Sequence, residues 1–334
     1  MNKQLRYGIL EVTRRCQLRC EGCYMWRRNE LETHGEMSLE QAIRVLDACR
    51  DFAGRELESM DILGGEPLLW SHLKEYIEIL LARGIKPWIF TNMLAVTSEL
   101  ARWLFERQVY VTGKLNIGNL VDDLQVVIQA ELIHGNYSTV AKMFAAIDVF
   151  HAVGYRNPMF RLENLIRRLN RPFVRDYLLF CKSRDIGVDV EIMACGEGTG
   201  DGYFHVAPTP QELTLLVRDV LEEMGGQQTD LLMPHILSAC RFFDSGLYFA
   251  MDGHIRACSN SKYNLANMND MNPIATAWDS TLLANRRCLT QENVAEPCHS
   301  CDRFDRCRGG CRATVEGDQG SFGGYTLCPL PHLK

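Results

Sequence analysis

Three cysteines near the start of the chain, Cys16, Cys20 and Cys23, form a C-x3-C-x2-C loop. Three thiolates at this spacing suit a cuboidal iron–sulfur cluster, which ordinarily takes four cysteines, one per iron. A loop that supplies only three leaves one iron open to a substrate or cofactor. Zinc also takes cysteine ligands. Against zinc stand the spacing, the apolar run 7–12 that reads as a strand before the loop, and the aromatic Tyr24 just after it. A second constellation closes the chain: Cys240 and Cys258, then Cys298, Cys301, Cys307 and Cys311 spaced C-x2-C-x5-C-x3-C, then Cys328. Taken by itself, that group also reads as a zinc ribbon. Fourteen cysteines are not expected to be a disulfide framework in a reducing compartment, so the count points to metal.

The elements that must position these residues follow a pattern. Up to about residue 226, short apolar runs alternate with amphipathic stretches, as in repeated βα units. Strands are expected over 60–63, 88–90, 109–112, 159–166 and 188–193, after the first at 7–12. Helices are expected over 71–82, 98–107, 138–153, 172–184 and 210–224. The first helix begins at Ser38-Leu39-Glu40-Gln41, a capping-box signature. Cys49 and Cys181 fall on apolar helical stripes and read as core. Six units predict an α/β fold with a partial barrel rather than a closed eight-stranded one. In such folds ligands gather at the carboxyl ends of the strands. Gly64-Gly65-Glu66-Pro67 stands there after the second strand, with glycines that let a ligand approach and a carboxylate that can bind an ammonium group. Thr91 and Asn92 follow the third strand and Asn116 the fourth. Glu163 and Asn164 on the fifth point to opposite faces, so only one can line the interior. Beyond residue 226, Asp252-Gly253 between alternating runs predicts a hairpin that returns Cys258 towards Cys240.

The cysteine loop, its strand and the Gly-Gly-Glu-Pro run together resemble the radical S-adenosylmethionine (SAM) superfamily. The resemblance implies a partial (β/α)6 TIM-like barrel over 1–226 whose Cys16, Cys20 and Cys23 hold a 4Fe–4S cluster. SAM would be held by the open iron, by Tyr24, by Gly64, Gly65, Glu66 and Pro67, and by Thr91, Asn92 and Asn116. Met93 replaces a glycine of the family pattern, and Gln129 stands nearest to the place of an arginine that often meets the SAM carboxylate. The region 227–334 resembles the SPASM domain, also through Asn264–Asn267, Trp278-Asp279-Ser280 and Gly309-Gly310-Cys311-Arg312. Its pattern implies two auxiliary 4Fe–4S clusters, an outer one on Cys298, Cys301, Cys307 and Cys328 and an inner one on Cys240, Cys258 and Cys311. Pro234 stands where fully ligated relatives carry a further cysteine, and neighbouring His235 is a candidate replacement. Cys195, where the sixth strand meets the ligand face, is a candidate to lie near substrate.

These resemblances imply an enzyme that reductively cleaves SAM to a 5′-deoxyadenosyl radical and oxidatively modifies a substrate. A peptide or protein side chain is the first expectation; a sugar, aminocyclitol or nucleoside is the alternative. The electron donor would be of flavodoxin or ferredoxin type. Because Cys16 lies close to the start of the sequence, no fused leader-peptide-binding domain is expected before it, which weighs against a peptide substrate unless a separate leader-peptide-binding protein serves as partner. The net charge of −6 gives no electrostatic reason for a nucleic-acid or anionic-membrane partner. No apolar run approaches the roughly 18 residues of a membrane span, and no signal peptide opens the chain, so a cytoplasmic location is expected.

Overall fold

Parallel strands need crossover connections, and each of the first six strands here is followed by at least one helix. The computed structural model describes residues 5–21, 23, 25, 35–192, 206–224 and 239–329. Strands β1 (Tyr7–Glu11), β2 (Ser59–Leu63), β3 (Lys86–Thr91), β4 (Tyr110–Lys114), β5 (Phe160–Ile166) and β6 (Gly187–Ile192) pair in parallel in chain order. The crossover helices are α1 (Leu39–Ala53), α2 (Leu73–Ala82), α3 (Ser98–Glu106), α4 (Asp123–Ile133), α5 (Tyr137–Ala152), α6 (Val174–Ser183) and α7 (Pro210–Met224). This is the partial barrel expected of six βα units.

The sheet does not stop at the first strand. The hairpin of β7 (Gly246–Phe249) and β8 (His254–Arg256) turns at Asp252-Gly253, and β7 lies parallel to β1, matching Tyr7 to Gly246 and Leu10 to Phe249. With β9 (Ala266–Asn267) the order is β6-β5-β4-β3-β2-β1-β7-β8-β9, one nine-stranded sheet running through both sequence regions. Four short helices follow: α8 (Pro273–Trp278), α9 (Thr281–Arg287), α10 (Phe304–Cys307) and α11 (Arg312–Asp318).

Strand alternation gives this sheet two unlike faces. Met60, Ile62, Ile89, Val111, Leu162, Val188 and Val190 join the large apolar core shared with the helices. The opposite positions carry Glu11, Asp61, Trp88, Thr112, Lys114, Arg161, Glu163, Asp189 and Glu191. Charges there are paired: Lys114 with Glu163 and Arg161 with Asp189 across neighbouring strands, and Asp61 with Arg241 from the turn before β7. The concave face is therefore polar. Glu163 belongs to it, while Asn164 lies buried on the other side and accepts a 2.9 Å hydrogen bond from Asn170 Nδ2.

Helix α1 has the expected start. Ser38 Oγ accepts from the Gln41 amide at 3.2 Å, and the Gln41 side chain accepts from the Ser38 amide at 2.9 Å. Cys49 and Cys181 are buried in the core. Helix α4 was not expected, and its composition explains why. It buries Val126, Ile128, Leu132 and Ile133 together with Gln125 and Gln129, yet exposes Leu124 and Val127, so no single apolar stripe marks it. No helix among the described residues is long and apolar enough to cross a membrane.

Candidate metal and cofactor site

Two backbone bonds bring the first two motifs together. The Gly65 amide donates to Thr13 O at 2.7 Å, and the Glu66 amide donates to Arg15 O at 2.7 Å, so the turn after β2 is laid directly on the chain that leads into Cys16. Glycine is required for that approach: a Cβ on Gly65 would stand 2.3 Å from Arg15 O, and one on Gly64 2.5 Å from Thr13 O.

Glu66, fully buried, ties the turn to the end of β3. Its Oε1 accepts from Thr91 Oγ1 at 2.6 Å and from the Leu68 amide at 3.1 Å, while Oε2 accepts from the Asn92 amide at 2.7 Å. A carboxylate has about four acceptor positions, so one remains on Oε2. Burial pushes this carboxyl up to about 7, against the three hydrogen bonds that favour its ionised form. Asn92 continues the chain of contacts, its Nδ2 lying 3.7 Å from Cys16 Sγ and 3.2 Å from Gln17 Oε1. Met93 takes a left-handed conformation at φ 67°, the conformation for which glycine is the usual choice.

Asn116 and Gln129 bond to one another. Gln129 Oε1 accepts from the Asn116 amide at 3.0 Å and from its Nδ2 at 3.2 Å, and Asn116 Oδ1 accepts from the Leu165 amide at 3.1 Å. Both therefore join the ends of β4 and β5 to α4. Tyr24, Cys195, Pro234 and His235 lie outside the described residues.

The cysteines gather in three groups. Cys16, Cys20 and Cys23 lie near enough for their thiolates to repel one another. Burial pushes Cys16 up to about 11 and Cys20 up to about 12. Cys240, Cys258 and Cys311 form a second such group, with burial raising Cys240 to about 12 and Cys258 to about 11. Cys298, Cys301 and Cys307 form a third, with Cys298 and Cys307 raised by burial. Cys328 is carried close by a turn: its amide donates to Tyr325 O, while the Tyr325 amide donates to Cys298 Sγ at 3.3 Å. Cys288 stands apart from all three groups and is exposed.

All these cysteines are free of disulfides. Among the described residues no three His, Cys, Asp or Glu side chains converge tightly enough to chelate a single metal ion. Buried thiols in mutual reach are poor anions until a cation joins them, and metal ligation needs the thiolate. Leu18 N at 3.4 Å from Cys16 Sγ, and Arg303 N at 3.4 Å from Cys301 Sγ, supply N–H donors of the kind that stabilise ligated sulfur. The donor chemistry thus fits iron–sulfur clusters.

Sequence reasoning missed the arginines beside these groups. Arg167, just past β5, is buried, donates to Glu21 O and lowers the Cys20 thiol against the effect of burial. It also missed the charged concave face, although alternating Asp189 and Glu191 in an otherwise apolar strand was a usable signal. On that face burial, followed by repulsion from Glu191, pushes Glu163 up to about 7, with Lys114 opposing.

Comparison with known proteins agrees with this arrangement. Residues 10–165 match the radical SAM superfamily. The chain is 23% identical over 333 residues to mycofactocin maturase MftC of Mycobacterium tuberculosis, covering 91% of this chain and 77% of that protein. It is 26% identical over 194 residues to the tungsten-containing aldehyde ferredoxin oxidoreductase cofactor-modifying protein of Pyrococcus furiosus. That match spans about half of each, 57% of this chain and 51% of the relative. Among solved structures, anSMEcpe with bound AdoMet and Cp18Cys peptide superposes with a TM-score of 0.72 at 17% identity, over 98% of this chain and 95% of that one. That likeness establishes the fold.

Proposed function

We propose that the chain, whose residues 10–165 match the radical SAM superfamily, is a radical SAM enzyme that oxidatively modifies a peptide side chain with the help of two auxiliary clusters. The observation that carries the reading is the gathering of half-buried and buried cysteines into three separate groups, two of them beyond the matched residues. A SPASM-type region with an inner site on Cys240, Cys258 and Cys311, and an outer site on Cys298, Cys301, Cys307 and Cys328, accounts for both. The peptide class is supported by the relatives: one is named a maturase, and one solved structure holds a peptide.

When bound, SAM and the reduced cluster supply a 5′-deoxyadenosyl radical that takes a hydrogen atom from substrate. The chain's own residues orient and protect that chemistry. Cys16, Cys20 and Cys23 would hold the cluster with one iron open to SAM, and the remaining acceptor position of Glu66 would meet the SAM ammonium. Gly64 and Gly65 keep the turn flat against the cysteine loop, while Thr91 and Asn92 hold Glu66 in place. Substrate lies on the polar concave face.

Iron counting tests the proposal. Anaerobically reconstituted protein is expected to hold about twelve irons, since each cuboidal cluster has four. Removing Cys298, Cys301 and Cys307 together should lower this to about eight. A count of about four irons with one or two zincs would remove the auxiliary clusters from the proposal. The substrate class is checked by incubating the enzyme with short peptides encoded beside its gene and looking for loss of a hydrogen pair by mass spectrometry.

Glu66→Gln gives a second test. It leaves an amide where the ammonium partner stood, which costs about 1.5–3 kcal/mol, roughly tenfold to a hundredfold in affinity. Calorimetric titration with SAM should detect this while iron content stays at the wild-type value. Unchanged affinity would remove Glu66 from the SAM site.

A further inference from the structure

Two arginines are buried among the C-terminal cysteines, and they differ in how their charge is met. Arg286 and Arg312 are 2% and 3% exposed. Arg286 is neutralised, with Nε and Nη2 making paired bonds of 2.7 and 2.6 Å to the carboxylate of Glu316, which is 3% exposed. Arg312 bonds only to main-chain carbonyls in the hydrogen bonds described: Nη1 to Gly309 O at 3.3 Å and Gly323 O at 3.2 Å, and Nη2 to Ser321 O at 2.7 Å. Its Nε–H is buried with no acceptor among the described residues. Glu316, one turn further along α11, gives both oxygens to Arg286 and reaches Arg312 through its field without a hydrogen bond.

Arg312 also sits between two cysteine groups. It directly follows Cys311, and its guanidinium packs on Gly309 together with Cys298: a Cβ on Gly309 would stand 3.0 Å from Arg312 Nη1 and 3.9 Å from Cys298 Sγ. Its charge acts on Cys311 and Cys298, one member of each C-terminal group. Arg286 acts on Cys258 and Cys240, but with Glu316 opposing it.

We propose that Arg312 is a shared cationic bridge that raises the reduction potentials of both auxiliary clusters. The inference rests on the auxiliary-cluster reading above. Reduction adds a negative charge to a thiolate-bound cluster, and a nearby buried cation stabilises the reduced form. Hydrogen bonds towards the sulfurs act in the same direction, and Arg312 has a donor to spare. The Arg286–Glu316 pair is close to electrically silent. Arg312 is thus a positioning residue for charge and touches no substrate.

The test is a redox titration of the full chain, reconstituted anaerobically with iron and sulfide and followed by EPR. The N-terminal site is told apart by the change that SAM makes to its signal. Arg312→Met should lower both C-terminal midpoints at unchanged iron content, and Arg312→Lys should restore most of the loss. Glu316→Gln should raise the midpoint of the Cys240–Cys258 site by leaving Arg286 uncompensated. Full iron with midpoints unmoved in Arg312→Met overturns the inference and leaves the cluster reading standing. Wild-type protein without C-terminal iron overturns both. If Arg312→Met loses iron, Arg312→Gln, which removes the charge and keeps hydrogen-bonding capacity, decides: lowered midpoints at both C-terminal sites support the inference, and wild-type midpoints overturn it.

Discussion

A chain carrying Cys16→Ala, Cys20→Ala and Cys23→Ala should form no 5′-deoxyadenosine from SAM under reducing, anaerobic conditions, yet keep about eight of about twelve irons. The loss is complete because, among the described residues, the first cysteine group alone is linked to the Gly64–Pro67 turn, through the Glu66 amide on Arg15 O and Asn92 Nδ2 near Cys16 Sγ. Cluster absorbance and iron analysis supply the second measurement. Deoxyadenosine at the wild-type rate in this variant would move the chemistry elsewhere, and loss of all iron would mean that the three groups do not assemble independently.

Gly65→Ala should be nearly as damaging although it removes no ligand. The new methyl group would meet Arg15 O at 2.3 Å, and that oxygen belongs to backbone, which cannot swing aside as a side chain can. Overpacking of this kind costs roughly 1–3 kcal/mol, which the large apolar core can absorb without unfolding. What gives way is the contact between the turn and residues 13–15. A displacement of about 1 Å between reacting groups is enough for about a hundredfold loss of rate. The expected result is a folded protein by circular dichroism with about one hundredth of the SAM cleavage rate. Wild-type turnover in Gly65→Ala would show that the close approach is dispensable.

Much of this arrangement was legible in the sequence because it depends on local rules. The Ser38–Gln41 cap, the strand end at Leu63 and the Asp252-Gly253 turn are each specified by neighbouring residues, and each appears where the pattern put it, while the third strand runs one residue further than expected, to Thr91. Periodicity could not reveal α4, whose buried Gln125 and Gln129 are satisfied by partners distant in sequence, Asp176 and Asn116. Nor could it choose between Glu163 and Asn164, since that depends on which face of the sheet curves inward. The ion pair of Asp61 with Arg241 joins residues 180 positions apart, beyond the reach of any local rule. Buried Arg286 and Arg312 look like ordinary surface arginines until the short helices fold them inside.

The pairing of β7 with β1 bears on how such a chain can be taken apart. Strand β1 leads directly into Cys16, and its two neighbours are β2 on one side and β7, from the C-terminal region, on the other. The fastening is repeated above the ladder, where Tyr248 donates to Glu11, and Arg14 meets Asp252 in the hairpin turn at 3.2 Å. Cutting the chain between the two sequence regions would turn β1 into a raw sheet margin with unpaired amides and carbonyls, an invitation to self-association. The C-terminal region is therefore not cargo on a tether that can be swapped between relatives. It is the wall against which the first cysteine loop is hung, and any chimera would have to inherit both sides of that seam.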